Sequence, residues 1–260
     1  MDIANLFDVS GKVAVVTGGS RGIGEMIAEG LVVNGVRVYI TARKAEACDA
    51  TAARLSEQGE CISIPADLAT EEGLAAFTAA LAEQEDRLDI LVNNAGATWG
   101  APLGGFPASG FDKVMNINVK SPFLLTQALL PQLRAAGMAD DPARVIMTGS
   151  IDGLRVPVSE NFSYSASKSA IHMLTRHLAH FLNDDHITVN AIAPGPFESK
   201  MMAFLLDDPN SKDQIEAGVP LRRIGRPEDV AGTAIFLSSR AGSYLTGTVI
   251  PVDGGISTQS

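Results

Sequence analysis

The sequence contains little of what several broad classes of protein require. It has only two cysteines, Cys48 and Cys61, so neither a disulfide framework nor a cysteine-based metal cluster is expected. No apolar run approaches the roughly 18–20 residues of a membrane span. The first eight residues include two acids and no basic region of the kind that opens a secretory signal. These features predict a protein of the reducing cytoplasm that has no membrane partner.

Positive charge is also scarce. Twenty Lys and Arg residues stand against thirty Asp and Glu, a formal net charge of −10. This balance disfavours nucleic acid or an anionic membrane as a partner, although a few local arginines and a helix N-terminus can still bind phosphate. Apolar residues, in contrast, make up 46% of the 260 positions, which is enough for one continuous core.

Short β-branched segments alternate with stretches rich in Ala, Leu and Glu. The segments lie at 13–17, 37–41, 61–65, 89–92, 144–148, 188–193 and 248–252. Strands that are apolar on both faces, separated by helices, indicate a parallel sheet covered on both sides. The sequence therefore predicts one α/β domain over 1–260, a Rossmann fold with a doubly wound seven-stranded parallel sheet and helices on both faces.

A glycine-rich turn joins the first strand to the first amphipathic helix. The stretch is Thr17-Gly-Gly-Ser-Arg-Gly-Ile-Gly24, with Ile23, Ile27 and Leu31 on one helix face. Glycines at 18, 22 and 24 allow a tight turn, a close approach of the backbone to a pyrophosphate, and close packing of helix on strand. Many glycine turns bind nothing, but this one, between strand and helix, predicts a dinucleotide site.

Two arginines indicate which dinucleotide is bound. A protein selective for NAD usually places Asp or Glu after the second strand, to accept from the ribose 2′-hydroxyl. Here that position is Ala42, followed by Arg43, and Arg21 lies within the glycine turn. Two guanidiniums without a carboxylate favour a 2′-phosphate, and thus NADP(H). The alternative is that both arginines are solvated surface residues.

The third and fourth strands end in polar residues as well. Asp67, before Leu68, can accept from an adenine amino group, or it can serve as a helix N-cap before residues 69–72. Asn93-Asn94-Ala95-Gly96 can tie neighbouring strand ends together and leave room for the cofactor ribose, or it can be a plain turn.

Three further residues predict acid–base chemistry. Tyr164 and Lys168 are spaced i and i+4, which places both on one helix face. An ammonium beside a phenol lowers its pKa from about 10 towards neutrality, so that Tyr164 can exchange a proton with a carbonyl or alcohol oxygen. Ser150 ends the fifth strand and can donate to a substrate oxygen. The tyrosine–lysine pair alone is equally compatible with an ordinary surface helix.

Asn118 falls in a long helix predicted over 109–135. Asparagine has mediocre propensity inside a helix; it can bend the helix and hold a water against the backbone, or be a mere blemish. Asn116, two residues earlier, is expected to face elsewhere.

The sixth strand leads into Ala193-Pro-Gly-Pro-Phe197, which is predicted to close over the nicotinamide side of the pocket. A substrate lid is predicted over about 196–218. Its apolar stretch 201–206 favours an apolar substrate, the alternative being a core segment. The four histidines, at 172, 177, 180 and 186, are interpreted as surface or subunit-contact residues, and no metal is predicted.

As an ordered set, these motifs resemble the short-chain dehydrogenase/reductase family. They are the glycine turn, Asn93-Asn-Ala-Gly96, Asn118, Ser150, Tyr164-x-x-x-Lys168 and Pro194-Gly195, with later matches at Gly225-Arg-Pro-Glu-Asp-Val230 and Val252-Asp-Gly-Gly255. The resemblance covers essentially the whole chain and is greatest to the 3-oxoacyl reductases.

The resemblance implies roles for these positions. Tyr164 is the general acid/base, Lys168 binds the nicotinamide ribose and lowers the tyrosine pKa, Ser150 positions the carbonyl, and Asn118 anchors a water of a proton relay. It also implies a homotetramer, in which the helices of Asn118 and Tyr164 lie in subunit contacts. The Ser150–Tyr164 interval is one residue longer than is commonest in the family, and Ser199 replaces a frequent threonine.

The predicted cofactor site comprises Gly18, Ser20, Arg21, Gly22, Ile23, Gly24, Arg43, Asp67, Leu68, Asn94, Ala95, Gly96, Tyr164, Lys168, Pro194, Gly195, Phe197 and Ser199. The predicted activity is NADPH-dependent reduction of a ketone, with a 3-oxoacyl thioester as one candidate. Oxidation of a polyol or sterol by the same residues is an alternative. A cofactor-binding sensor without turnover is disfavoured because the catalytic tetrad Asn118, Ser150, Tyr164 and Lys168 is intact. A methyltransferase leaves Tyr164 and Lys168 without a role.

Overall fold

The computed structural model of the chain describes residues 2–198 and 209–258. Seven parallel strands form one sheet in the order β3-β2-β1-β4-β5-β6-β7. They are β1 Val13–Thr17, β2 Arg37–Thr41, β3 Cys61–Ser63, β4 Ile90–Asn93, β5 Ala143–Thr148, β6 Ile187–Pro194 and β7 Val249–Val252. The predicted seven-stranded parallel sheet is confirmed, although β3 ends before Pro65, which has no N–H for the ladder.

Helices cover both faces of this sheet. They are α1 Ile3–Phe7, α2 Gly22–Val33, α3 Ala45–Leu55, α4 Glu71–Ala82, α5 Ala108–Met115, α6 Ser121–Ala128, α7 Leu130–Ala136, α8 Phe162–Leu182, α9 Pro209–Gly218 and α10 Pro227–Ser238. Within the described ranges, no helix combines the length and the apolar character that crossing a membrane requires.

The core consists of two apolar layers, one on each face of the sheet. Alternate residues of β1 point to opposite faces: Ala14 and Val16 belong to one buried cluster, and Val13 and Val15 to the other. The first cluster includes residues of α2, α3 and α10, and the second includes residues of α4, α6, α7 and α8. This division confirms the doubly wound arrangement.

The predicted long helix over 109–135 is wrong in one respect, because the chain forms three helices there. After α5, residues Asn116–Lys120 form a π-helical turn, α6 follows, and a break at Leu129 precedes α7. Pro122 has no N–H for the carbonyl of Asn118, four residues earlier, so an α-helix cannot continue unchanged. Pro131 similarly withdraws a donor near the second break.

All seven strands run in the same direction, and their carboxyl ends therefore meet at one edge. The loops that leave this edge carry the glycine turn, Asn94, Ser150 and Gly195, and the edge is where ligands bind in open α/β sheets. Of the predicted lid, only 196–198 and α9 are described; Ser199 and the apolar stretch 201–206 lie outside the described residues.

Candidate active site

The glycine turn between β1 and α2 forms an open cradle. Gly18 has φ +65° and Gly22 φ +56°, a backbone region that side chains disfavour. A Cβ on Gly24 would collide with the carbonyl of Gly18 and the amide of Asn94. Helix α2 has no side-chain cap at its N-terminus, so its first N–H groups remain available to an anion.

A hydroxyl and an amide fasten this turn to the end of β4. Thr17 Oγ1 accepts from the backbone N–H groups of Asn94 and Ala95, both at 2.9 Å. Asn94 Nδ2 donates to the Thr17 carbonyl at 2.9 Å. The prediction that Asn94 ties neighbouring strand ends is confirmed. Thr17 itself was missed as a site residue, although its place at the strand end beside the glycine turn was a visible signal.

The two candidate phosphate-binding arginines are exposed at the same edge. Arg21 directly precedes α2, and Arg43 follows β2 after the half-buried Ala42. Among the ion pairs and side-chain hydrogen bonds of the described residues, neither guanidinium takes part. Both charges are therefore available to a ligand.

At the end of β3, the N-cap interpretation of Asp67 is wrong. Helix α4 begins at Glu71, and its N-cap is Thr70, whose hydroxyl accepts from Gly73 N. Asp67 instead accepts from Ala69 N at 3.1 Å and keeps a half-buried carboxylate. Leu68 is buried in the core, so only its main chain can meet a ligand.

Ser150, Tyr164 and Lys168 come together at the carboxyl end of β5. The Ser150 hydroxyl lies close enough to the Tyr164 phenol to lower its pKa. One helical turn further along α8, the buried Lys168 donates from Nζ to the Thr148 carbonyl at 2.7 Å, and this ammonium lies 5.4 Å from the centre of the tyrosine ring. The predicted surface-helix alternative is wrong, because this face of α8 packs on the sheet edge.

Burial dominates the ionisation of both groups. It raises the pKa of Tyr164 to about 12, the Ser150 hydroxyl offsets part of this rise, and the charge of Asp152 adds to it. Burial lowers the pKa of Lys168 to about 8. The expectation that the lysine draws the tyrosine pKa towards neutrality is thus not met in the protein alone, where desolvation of the phenolate is the largest influence.

Asn118 lies in the π-helical turn and is 2% exposed. Its side chain makes a paired contact with Ala97, accepting from the N–H at 2.8 Å and donating to the carbonyl at 3.0 Å. It also donates to Ser167 Oγ at 2.9 Å, next to Lys168. Asn116 faces elsewhere, as predicted, and donates to the Ala69 carbonyl. Asn118 therefore connects the segment after β4 with the catalytic helix.

After β6, backbone contacts rather than side chains shape the edge. Gly195 N donates to the Val252 carbonyl at 3.0 Å, and a Cβ on Gly195 would lie 2.8 Å from Asp253 Cα. Phe197 is 2% exposed and packs in the core against Gly225. The ring of Phe197 is therefore not a cofactor contact, and only its main chain is left for that role.

One of the four histidines is not at the surface. His172 is 4% exposed, on α8 one turn after Lys168, and burial lowers its pKa to about 4. Its ring packs against Gly149 and Gly153, the residues that flank the Ser150 turn. The predicted surface position is wrong because α8 buries the face that carries Lys168 and His172, as their i, i+4 spacing already implied. His177, His180 and His186 are exposed.

The chain belongs to the short-chain dehydrogenase/reductase family. A family model described as enoyl-(acyl carrier protein) reductase matches residues 18–257. This assignment agrees with the glycine turn, the seven-stranded sheet and the Ser150–Tyr164–Lys168 cluster. The protein is accordingly an oxidoreductase that acts on CH–OH and C=O groups.

Individual relatives are similar over almost their full length. The chain is 51% identical over 249 residues to the rhamnolipids biosynthesis 3-oxoacyl-(acyl-carrier-protein) reductase of Pseudomonas aeruginosa, covering 96% of this chain and 97% of that protein. The solved Pseudomonas aeruginosa RhlG/NADP active-site complex superposes with a TM-score of 0.95 at 50% identity, covering 97% and 99%. A gluconate 5-dehydrogenase of Burkholderia cenocepacia, in complex with NADP and tartrate, gives 0.91 at 29% identity, covering all of both chains.

Proposed function

We propose that the protein is an NADPH-dependent ketoreductase, which reduces a ketone to a secondary alcohol with Tyr164 as general acid. The observation that carries the proposal is the grouping of the Ser150 hydroxyl and the Tyr164 phenol at the end of β5, with the buried ammonium of Lys168 one helical turn away. This cluster lies at the same sheet edge as the glycine turn. The cofactor that supplies the hydride and the tyrosine that supplies the proton would therefore both lie next to the substrate carbonyl.

The residues at this edge fit NADP(H). The space that a Cβ on Gly24 would fill and the uncapped N-terminus of α2 suit a pyrophosphate. Arg21 and Arg43 suit a 2′-phosphate, and the half-buried carboxylate of Asp67 suits an adenine amino group. Asn94, Ala95, Gly96, Pro194, Gly195 and Ser199 would line the ribose and nicotinamide portions. When bound, the cofactor supplies the hydride.

Each member of the tetrad has a distinct role in the proposal. Ser150 donates a hydrogen bond to the substrate carbonyl and holds it beside the Tyr164 hydroxyl, which delivers the proton to that oxygen. Lys168 places a positive charge beside the phenolate that remains and stabilises it. Asn118 keeps the segment after β4 attached to α8 through Ala97 and Ser167.

The rim of the site supports an apolar substrate such as a 3-oxoacyl thioester. The loop from Ser150 to Tyr164 presents Val156 and Val158 at 89% and 99% exposure, and Leu103 faces the same loop at 73%. The two segments are joined where Leu103 N and Ala101 N donate to Glu160. Exposed apolar side chains beside a polar centre favour a ligand with an apolar tail. The lid over about 196–218 would close this side.

We also propose a cytoplasmic homotetramer, with a homodimer as the alternative. Large apolar side chains are exposed on helices that leave one face uncovered: Phe123 on α6 at 42%, and Met173 and Phe181 on α8 at 60% and 69%. Burying such side chains between copies of the chain removes apolar area from water. Sedimentation equilibrium of the purified protein measures the assembly directly.

The test is a set of initial rates, followed in the nicotinamide absorbance band. NADPH and NADH are each paired with acetoacetyl thioester, with a bulky apolar ketone and with 5-ketogluconate, and Tyr164→Phe is measured beside the wild type. Consumption of NADPH with the acyl substrate, lost in the variant, is the expected result. Turnover of the sugar acid alone would transfer the assignment to a polyol dehydrogenase, and tight NADPH binding without turnover would contradict an enzymatic role.

A further inference from the structure

Asp152 connects the two parts of the chain that carry Ser150 and Tyr164. It lies in the 3₁₀ turn Ile151–Gly153, where its backbone N–H donates to Ser150 Oγ at 3.1 Å. Its carboxylate accepts from Asn161 Nδ2 at 3.4 Å, a long hydrogen bond. The Asn161 carbonyl in turn accepts from Tyr164 N at 2.8 Å, in the first turn of α8. Asp152 thus contacts the Ser150 hydroxyl directly and is linked through Asn161 to the backbone of Tyr164.

The charge of Asp152 also acts on the Tyr164 phenol. Its carboxylate is half-buried and raises the pKa of Tyr164, after the larger contribution of burial. None of the ion pairs among the described residues includes Asp152. A carboxylate without a paired cation keeps its full repulsion of a neighbouring phenolate.

Other charged groups on the elements around α8 are engaged or distant. Lys168 donates to the Thr148 carbonyl and His172 is held neutral. The others are the exposed Arg155 in the same loop, the exposed Arg176 on α8, Lys113 over the Trp99 ring, the exposed Asp112, Lys120 beside Glu71, Arg144 bound to the carbonyls of Leu237 and Ser239, and Asp184 and Asp185 beyond the C-terminus of α8. Asp152 is therefore the acidic group whose removal tests the charge on Tyr164.

We propose that Asp152 is a positioning residue that ties the Ser150 turn to α8 and holds a negative charge near the Tyr164 phenol. The inference rests on the proposed role of Tyr164. The protonated phenol is the form that donates to a carbonyl oxygen, so a nearby negative charge extends reduction towards higher pH.

Three variants separate the charge from the tie. Asp152→Asn removes the charge and keeps an acceptor for Asn161, Asp152→Ala removes both, and Asn161→Ala removes the tie and keeps the charge. Glu160→Gln is the matched control, since it removes one negative charge from the same loop. The Glu160 carboxylate contacts Leu103 N and is not among the groups that act on Tyr164.

The first measurement does not depend on turnover. The cofactor-free protein is subjected to stopped-flow pH jumps, and the absorbance of tyrosinate is read before the protein unfolds. The difference between wild type and Tyr164→Phe gives the pH midpoint at which Tyr164 ionises. In Asp152→Asn and Asp152→Ala, we expect this midpoint to fall by roughly half a pH unit or more. Asn161→Ala and Glu160→Gln are expected to leave it in place. An equal midpoint in wild type and Asp152→Asn, or an equal fall in Glu160→Gln, overturns the inference.

The second measurement is the pH profile of oxidation of a 3-hydroxybutyryl thioester with NADP⁺. Its rising limb should move to lower pH in Asp152→Asn by the same amount, while Asn161→Ala lowers kcat at an unchanged midpoint and an unchanged KM for the cofactor. A wild type without turnover in either direction would refute the proposed function and leave the tyrosinate result to decide the inference. If Asp152→Ala does not fold, Asp152→Asn still carries the test.

Discussion

Thr17 offers a direct test of how the cofactor cradle is held. Its side chain is 2% exposed, and its hydroxyl oxygen accepts from Asn94 N and Ala95 N at 2.9 Å while the hydroxyl donates to the Val92 carbonyl at 3.3 Å. Thr17→Val keeps the shape of the side chain and removes all three hydrogen bonds. Thr17→Ser keeps the hydroxyl and removes one methyl group.

The two substitutions should differ in size. A buried N–H that loses its acceptor costs about 1–3 kcal/mol, but Asn94 and Ala95 are only half-buried. Water can therefore accept hydrogen bonds from the N–H groups that lose the Thr17 oxygen, which reduces the cost. We expect Thr17→Val to lower the free energy of unfolding by about 2–3 kcal/mol in total. Removing a single buried methyl in Thr17→Ser costs about 1 kcal/mol.

Urea unfolding of the cofactor-free protein, at one protein concentration, compares the three forms. NADPH affinity is measured by fluorescence titration in parallel, and it should weaken in Thr17→Val more than in Thr17→Ser, because the Gly18 turn loses its anchor on β4. If Thr17→Val is as stable as Thr17→Ser and binds NADPH as tightly, the hydroxyl does not organise the cradle and the reasoning is refuted.

Four other substitutions give distinct outcomes. Tyr164→Phe should retain NADPH affinity while kcat falls by about 10²–10⁴-fold, the usual contribution of a general acid; near-normal turnover contradicts the assignment. Ala42→Asp combined with Arg43→Leu should move the kcat/KM preference towards NADH, and an unchanged NADPH preference would place recognition of the 2′-phosphate elsewhere. His172→Gln should make the free energy of unfolding less dependent on pH in the acid range. The pKa of His172 is about 4 in the folded protein, against 6.5 ordinarily, so the wild type loses stability as the pH falls through that interval, by about 1 kcal/mol at about pH 5.5. The free energies of unfolding of wild type and variant should therefore converge on acidification. Lys168→Met should abolish turnover and raise the free energy of unfolding by about 1–2 kcal/mol at neutral pH, as urea titration of the cofactor-free protein would show.

The seven strands and the site at their carboxyl ends could be predicted because both depend on local patterns. A β-branched run such as Val13–Thr17 followed by glycines specifies a strand and a turn wherever it occurs. The i, i+4 spacing of Tyr164 and Lys168 similarly fixes a shared helix face. In each case, the residues that define the feature are neighbours in the sequence, and the fold only brings the completed units together.

The features that the sequence reading missed depend on contacts made at long range. His172 is buried because the Ser150 turn folds over α8, and Phe197 is buried because Gly225 leaves space for its ring. The contact of Phe197 has no periodic signature, whereas the i, i+4 spacing of His172 from Lys168 was a visible sign of a shared helix face. The π-helical turn at Asn118 is an intermediate case: Pro122 was visible and forbids one α-helical hydrogen bond, but which alternative the backbone adopts depends on packing against α8.

The environment of Lys168 shows that the site is organised at the expense of stability. An amine whose folded pKa is about 8, against 10.5 ordinarily, destabilises the fold as the pH falls through that interval, because the unfolded chain takes up the proton first. Near neutral pH, this amounts to about 3 kcal/mol, and the hydrogen bond to the Thr148 carbonyl returns about 1 kcal/mol of it. An apolar residue of similar length would avoid this loss of stability, which is why Lys168→Met is expected to raise the free energy of unfolding. A buried, poorly compensated ammonium beside the buried Tyr164 is therefore best explained by chemistry that needs a positive charge where a phenolate forms.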